Sequence, residues 1–237
     1  MNRFALPLIA AASLASPAAA AEIQIAAQNP VVELSVSETI KAKPDIATVS
    51  SGVTTEAQTA VEAMQRNAAA MDDVVKRIKA LGIAADDIQT TGISLGARYD
   101  YDQQSQRQVF RGYQASNRVS VILRNVARTG EVLDALVAAG ATDIGGPNFS
   151  LEDDSAPRAQ ARKAAFDKAR SQAAQYAKWA GYTDVRLLEI DESVAPGGPR
   201  PFAPEARLQA ADAKTTPVEP GLVTTEVNLT VKFEMTR

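Results

Sequence analysis

Residues 223–235 alternate almost without a lapse. Val223, Thr225, Val227, Leu229, Val231, Phe233 and Met235 fall on one face; Thr224, Glu226, Asn228, Thr230, Lys232 and Glu234 fall on the other. A period of two held over that length fits a strand with one buried face. Residues 31–55 show the same pattern twice. Val32, Leu34, Val36 and Ile40 oppose Glu33, Ser35, Ser37 and Thr39; beyond Lys43-Pro44-Asp45, Ala47, Val49, Ser51 and Val53 oppose Thr48, Ser50, Gly52 and Thr54. Pro44 has no N–H to give a ladder, so it marks a strand start or a bulge.

The pattern changes to a helical one after residue 59. Thr59 and Glu62 have capping-box spacing, and Val61, Met64, Ala68, Met71, Val75 and Ile78 recur every three or four residues before Gly82. This predicts a helix of about six turns. Met64 and Met71 read as core filler rather than a copper-binding stripe. Two long strands follow. Thr91, Ile93, Leu95, Ala97, Tyr99 and Tyr101 share a face of the first, and Val109, Tyr113, Ala115, Val119, Val121 and Leu123 share a face of the second. Joined through the polar residues 102–108, they form a hairpin with arms about twice the usual strand length. Asn117 falls on its inward face and reads as a register or bulge device.

A second helix is expected over 127–139, with Val132, Leu133, Leu136 and Val137 inward and Gly140 at its end. Gly145-Gly146-Pro147 reads as a connection, not a phosphate loop, because no G-x-x-x-x-G-K-[ST] spacing surrounds it. A short strand over 148–152 buries Phe149 and Leu151. Asp153 to Pro157 then open a long Ala-rich helix ending at Gly181, whose Arg158, Arg162, Lys163, Lys168 and Arg170 read as a solvated face. A strand follows at 185–190. Residues 195–220 hold half of the 12 prolines and predict a flexible loop before the last strand. The sum is an α+β fold of mixed, largely antiparallel sheets, with about seven strands and three main helices.

The N-terminus has Arg3, an apolar run from Phe4 to Leu14 and Ala19-Ala20-Ala21, the parts of a secretory signal peptide over residues 1–21. The apolar run is too short to span a bilayer, so no stable membrane insertion is expected. The remainder, 22–237, suits one domain or two tight subdomains. The balance of 25 basic against 28 acidic residues argues against nucleic acid as a partner.

The chain has neither His nor Cys. Imidazole bases, thiol nucleophiles and ordinary zinc or copper sites therefore fall away, and no catalytic residue, cofactor or metal is expected. A carboxylate hydrolase would have to draw on Asp45, Asp86, Asp87, Asp153 and Asp154, each of which already reads as a turn or cap residue. Three of the five tyrosines, Tyr99, Tyr101 and Tyr113, gather in the hairpin with Phe110 near its tip. These four are the interface candidates. Lining a groove for a small ligand is the alternative use of the same rings. Asn228-Leu229-Thr230 matches a glycosylation sequon but sits mid-strand.

The runs Ala42-Lys43-Pro44-Asp45-Ile46-Ala47, Asp87-Ile88-Gln89-Thr90-Thr91 and Gly112-Tyr113-Gln114-Ala115-Ser116-Asn117 resemble the SIMPL-domain (DUF541) family. So do Gly140-Ala141 and the Pro-rich loop before the last strand. The resemblance covers nearly the whole chain beyond residue 21. Its motifs are turns and strand starts, so they specify a fold and no chemistry. It implies an α+β domain, a periplasmic location with the outer membrane as a site of association, a link to oxidative or envelope stress defence, and, in some members, a homo-oligomeric ring. It carries over no catalytic residue.

Overall fold

The computed structural model describes residues 27–104, 106–193, 200–202 and 216–237. The expected signal segment lies outside them, as do 194–199 and 203–215 of the proline-rich stretch. Lys43-Pro44-Asp45 does more than break a strand. It carries the chain from β1 (Val31–Ala42) in one sheet to β2 (Ile46–Ala57) in the other. One sheet runs β1-β8-β6, with β6 at Asp184–Ser193 and β8 at Leu222–Thr236; the three-residue β7 (Arg200–Phe202) also pairs with β8. The other runs β3-β4-β2-β5, with β3 at Ile88–Asp102, β4 at Arg107–Leu123 and β5 at Asp143–Ser150. Every ladder is antiparallel. With β7 set aside as a three-residue addition, this is the α+β fold of seven strands and three helices.

The strongly alternating β8 is the central strand of its sheet, which explains its unbroken pattern. Val227, Leu229, Val231 and Phe233 point to α3 (Ser155–Trp179). That helix presents Ala161, Ala165, Ala169, Ala173 and Ala177, all fully buried. A stripe of methyl groups lets the helix lie close on the sheet, and alanine holds the helix intrinsically. Four of its five named cations are paired: among them, Lys168 pairs with Glu38 of β1, and Arg162 meets Glu192 of β6 through two bonds of 2.6 and 2.7 Å. Asn228 lies between β1 and β6, so the sequon is locked inside a sheet.

The second core joins β2 and β4 to α1 (Ala60–Ala80) and α2 (Thr129–Ala138), through Val49, Val53, Val119, Val121, Met71, Ile78 and Leu136. Val223 of β8 reaches into it, so the last strand serves both cores. Thr59 caps α1 by accepting from the Glu62 amide, while the Glu62 carboxylate pairs with Arg66 instead of closing the capping box. The buried face of α1 is Ala63, Asn67, Met71, Val74 and Ile78. This corrects the expected stripe by a rotation: Val61 is 65% exposed and Ala68 faces solvent. Asn67 was overlooked because a polar residue carries no hydrophobic signal; its amide is used by the sheet. Val137 of α2 likewise faces out, and Ala135 faces in.

Gly145-Gly146-Pro147 is not a connection but the middle of β5. An edge strand with a register shift opposite Thr48 and Ser50 tolerates a residue without an N–H. Residues 216–220 of the proline-rich stretch are held against α2: Thr216 donates its hydroxyl and its amide to Asp134, at 2.6 and 3.1 Å. Arg200 of the same stretch lies in β7.

Candidate interface on the long hairpin

β3 is an edge strand, bonded on one side to β4 and unpaired on the other. Its register with β4 slips between Arg98 and Tyr99, where Gly112 faces Arg98 and Phe110 faces Tyr99. Arg111 is thereby the extra residue of a bulge. Gly112 is required there: its φ is +137°, and a Cβ would sit 2.4 Å from the Ala57 carbonyl oxygen. The bulge changes which side chains share a face. Sequence alternation placed Val109 with Tyr113; the slip brings Phe110 opposite Tyr99 instead.

Three of the four candidate rings therefore meet. Tyr99 and Phe110 pack edge to face with centroids 5.6 Å apart, and Phe110 and Tyr113 do so at 5.4 Å. Tyr101 continues the same face of β3 toward the tip, where its register partner is Gln108. Tyr113 is half-buried, but Tyr99 is 55%, Tyr101 63% and Phe110 44% exposed. Ile93 and Leu95 extend this apolar face along β3 and are also exposed. The rings stand on an open surface. Ion pairs border them: Arg98 pairs with Glu56, and Arg111 approaches Asp100 at 3.2 Å. An apolar centre with a charged rim is the ordinary anatomy of a protein–protein contact.

Four of the five candidate acids are occupied structurally. Asp87 is buried and takes two bonds of 2.9 Å from Arg124, whose remaining arm meets Glu152 at 2.5 Å. The Glu152 amide in turn donates to Asp45 at 2.8 Å. Asp45 and Asp87 are thus brought to one end of their sheet, with Arg124 and Glu152 between them. A crevice of about 240 Å³ adjoins, floored by Leu123 and Val132 and edged by Arg124 and Arg128. Asp86 is exposed in the short turn before β3. Asp153 accepts from the amide and hydroxyl of Ser155, which hold its carboxyl below the usual range, and Asp154 pairs with Arg158 at 2.5 Å. No two of them stand free as an acid and base about a reacting bond. Asn117 lies in the regular part of the ladder, opposite Val53 and Ile93, rather than at a bulge; its buried side-chain Oδ1 has no partner among the described residues.

The sequence model of the SIMPL family, described as a protein of unknown function (DUF541), matches residues 32–233. The chain is 33% identical over 234 residues to the 26 kDa periplasmic immunogenic protein of Brucella melitensis, covering 96% of this chain and 93% of that one. It is similar at 30% identity over 149 residues to the uncharacterized protein YggE of Escherichia coli K12, covering 63% and 60%. The protein of that name in Edwardsiella ictaluri is 26% identical over 211 residues, 89% and 87% of the two chains. With both the family match and the Brucella relative spanning most of its length, the chain belongs to the SIMPL family.

Proposed function

We propose that this is a periplasmic, non-enzymatic protein that works as an assembly of identical subunits joined through the hairpin of β3 and β4. The observation that carries the reading is the open apolar face of Ile93, Leu95, Tyr99, Tyr101 and Phe110. An aromatic residue contributes roughly 150–250 Å² when covered, so five half-exposed side chains amount to several hundred Å², the scale of a contact patch. The unpaired edge of β3 adds to the liability of leaving this surface bare. Contact between unlike surfaces, head to tail, closes a ring when the rotation permits. The periplasmic location rests on the expected signal segment and on the name of the Brucella relative. The place of such an assembly in oxidative or envelope stress defence rests on the family resemblance.

The test is the double replacement Tyr99→Ser with Tyr113→Ser in the exported protein. Light scattering should show a smaller species, with circular dichroism unchanged. A folded variant of the same mass as the parent would reject the hairpin as the main contact.

A further inference from the structure

A head-to-tail contact needs a receiving surface different from the hairpin, and the second sheet carries one. Phe166 of α3, Ile190 of β6 and Leu229 of β8 line an open apolar groove of about 530 Å³ between the helix and the sheet edge. That volume lies in the range of sites that enclose drug-sized ligands, roughly 300–1,000 Å³. Leu229 forms the buried floor, while Ile190 is 48% exposed on an edge strand. The Arg162–Glu192 pair and Lys163 form the rim. Within one chain, β3 packs on β4 and α1, not on this groove.

We propose that the groove of Phe166, Ile190 and Leu229 receives the aromatic face of the hairpin from a second copy of this chain. The inference rests on the assembly reading above and adds its missing half. Two observations are accounted for together: an exposed apolar face on the hairpin, and an open apolar groove beside α3. They sit on different sheets, so one subunit can give its hairpin to one neighbour and receive another's. The crevice beside Arg124 is smaller, about 240 Å³ against about 530 Å³. A hydrophobic patch meeting a separate pocket on the next molecule is the geometry of heterologous association. Exposed rings of this type act as anchors when a pocket excludes water around them.

The absence of cysteine gives a clean test. Tyr101→Cys and Ile190→Cys are prepared separately, each at an exposed position, then mixed and mildly oxidised. The expected product is a covalent dimer linking residues 101 and 190, seen by non-reducing electrophoresis and peptide mass spectrometry, and formed only in the mixture. Cross-linking of Tyr101→Cys with itself would replace the proposal with a symmetric hairpin-to-hairpin contact. No cross-link in a mixture that light scattering shows to be assembled would reject the groove alone. A parent protein that is monomeric in light scattering would reject the assembly reading and the groove with it. As a second variant, Ile190→Asp should lower the mass as the tyrosine replacements do, with unchanged circular dichroism; an unaltered mass would count against the groove.

Discussion

The side-chain amide of Asn67 donates to the carbonyl of Val53 at 2.8 Å and, from the same nitrogen, to that of Ala115 at 3.1 Å. One helix residue thus holds both central strands of the sheet that carries the hairpin. Thr55 returns a bond of 2.9 Å to the Ala63 carbonyl one turn earlier in α1. Asn67→Ala strips both carbonyls of a buried donor, a loss of about 1–3 kcal/mol. Urea unfolding should show the midpoint lowered with an unchanged slope. A midpoint equal to the parent's would mean that the bonds contribute nothing net.

The way α1 meets the sheet also shows what alternation and periodicity can carry. The strands β2 and β8 were legible because buried and more exposed positions alternate along most of each. The helix ends at Gly82, Gly140 and Gly181 were legible because positive φ favours glycine there. Partnership was not legible. Nothing in residues 31–55 tells that β1 and β2 belong to different sheets, since a period of two names a face and not a neighbour. The phase of α1 was misread because its centre is Asn67, a polar residue buried by hydrogen bonds. The candidate rings were all read from sequence, but the pairing of Phe110 with Tyr99 depends on the bulge at Arg111. Only Gly112 hints at that bulge beforehand.

Glu234 gives the fold a defined acid limb. Its side chain is buried in β8 and accepts from Arg186, from the amides of Gln28 and Asn29 at 2.8 and 2.9 Å, and from the Asn29 side chain at 3.2 Å. The Arg186 guanidinium first, and then these amide donors, lower its pKa from 4.5 to about 2. A carboxylate depressed in the folded state adds stability above its unfolded pKa, and loses it as pH falls toward the folded value. The contribution is therefore full at neutral pH and fades between about 4.5 and 2. Glu234→Gln should be less stable than the parent at neutral pH, and the two should converge across that window in denaturant titrations. A difference independent of pH would show that the charge is not what matters.

Gly130 marks where the end of the proline-rich stretch closes on α2. A Cβ at this buried position would lie 2.2 Å from the Thr216 carbonyl oxygen, a backbone atom that cannot swing aside alone. Val218 packs on the core nearby, and the Asp134 carboxylate is held below its usual pKa by the Thr216 hydroxyl and amide. Gly130→Ala should push residues 216–220 off the helix at a cost of about 1–3 kcal/mol. Amide exchange should quicken there and at the start of β8, while α3 and β1 keep their protection. Uniform loss of protection would instead place Gly130 in the global unfolding unit.

The alanine stripe of α3 makes the sharpest statement about packing. Ala169 is the central member, fully buried between the helix and the sheet of β1, β8 and β6. The close approach that five methyl groups permit leaves no room for a larger side chain without moving the helix. Ala169→Leu adds apolar surface but overpacks the site, and overpacking commonly costs about 1–3 kcal/mol. Ser171→Leu, two residues on and exposed, adds a leucine to the same helix without that strain and should stay within about 0.5 kcal/mol of the parent. Thermal unfolding of the two variants separates the effects. A lowered midpoint for Ala169→Leu alone is the expected result, whereas equal midpoints would show that the helix can lift from the sheet freely. The groove beside Phe166 and Ile190 shares this helix. If α3 is displaced, Ala169→Leu should also weaken self-association in light scattering, a coupling absent from Ser171→Leu.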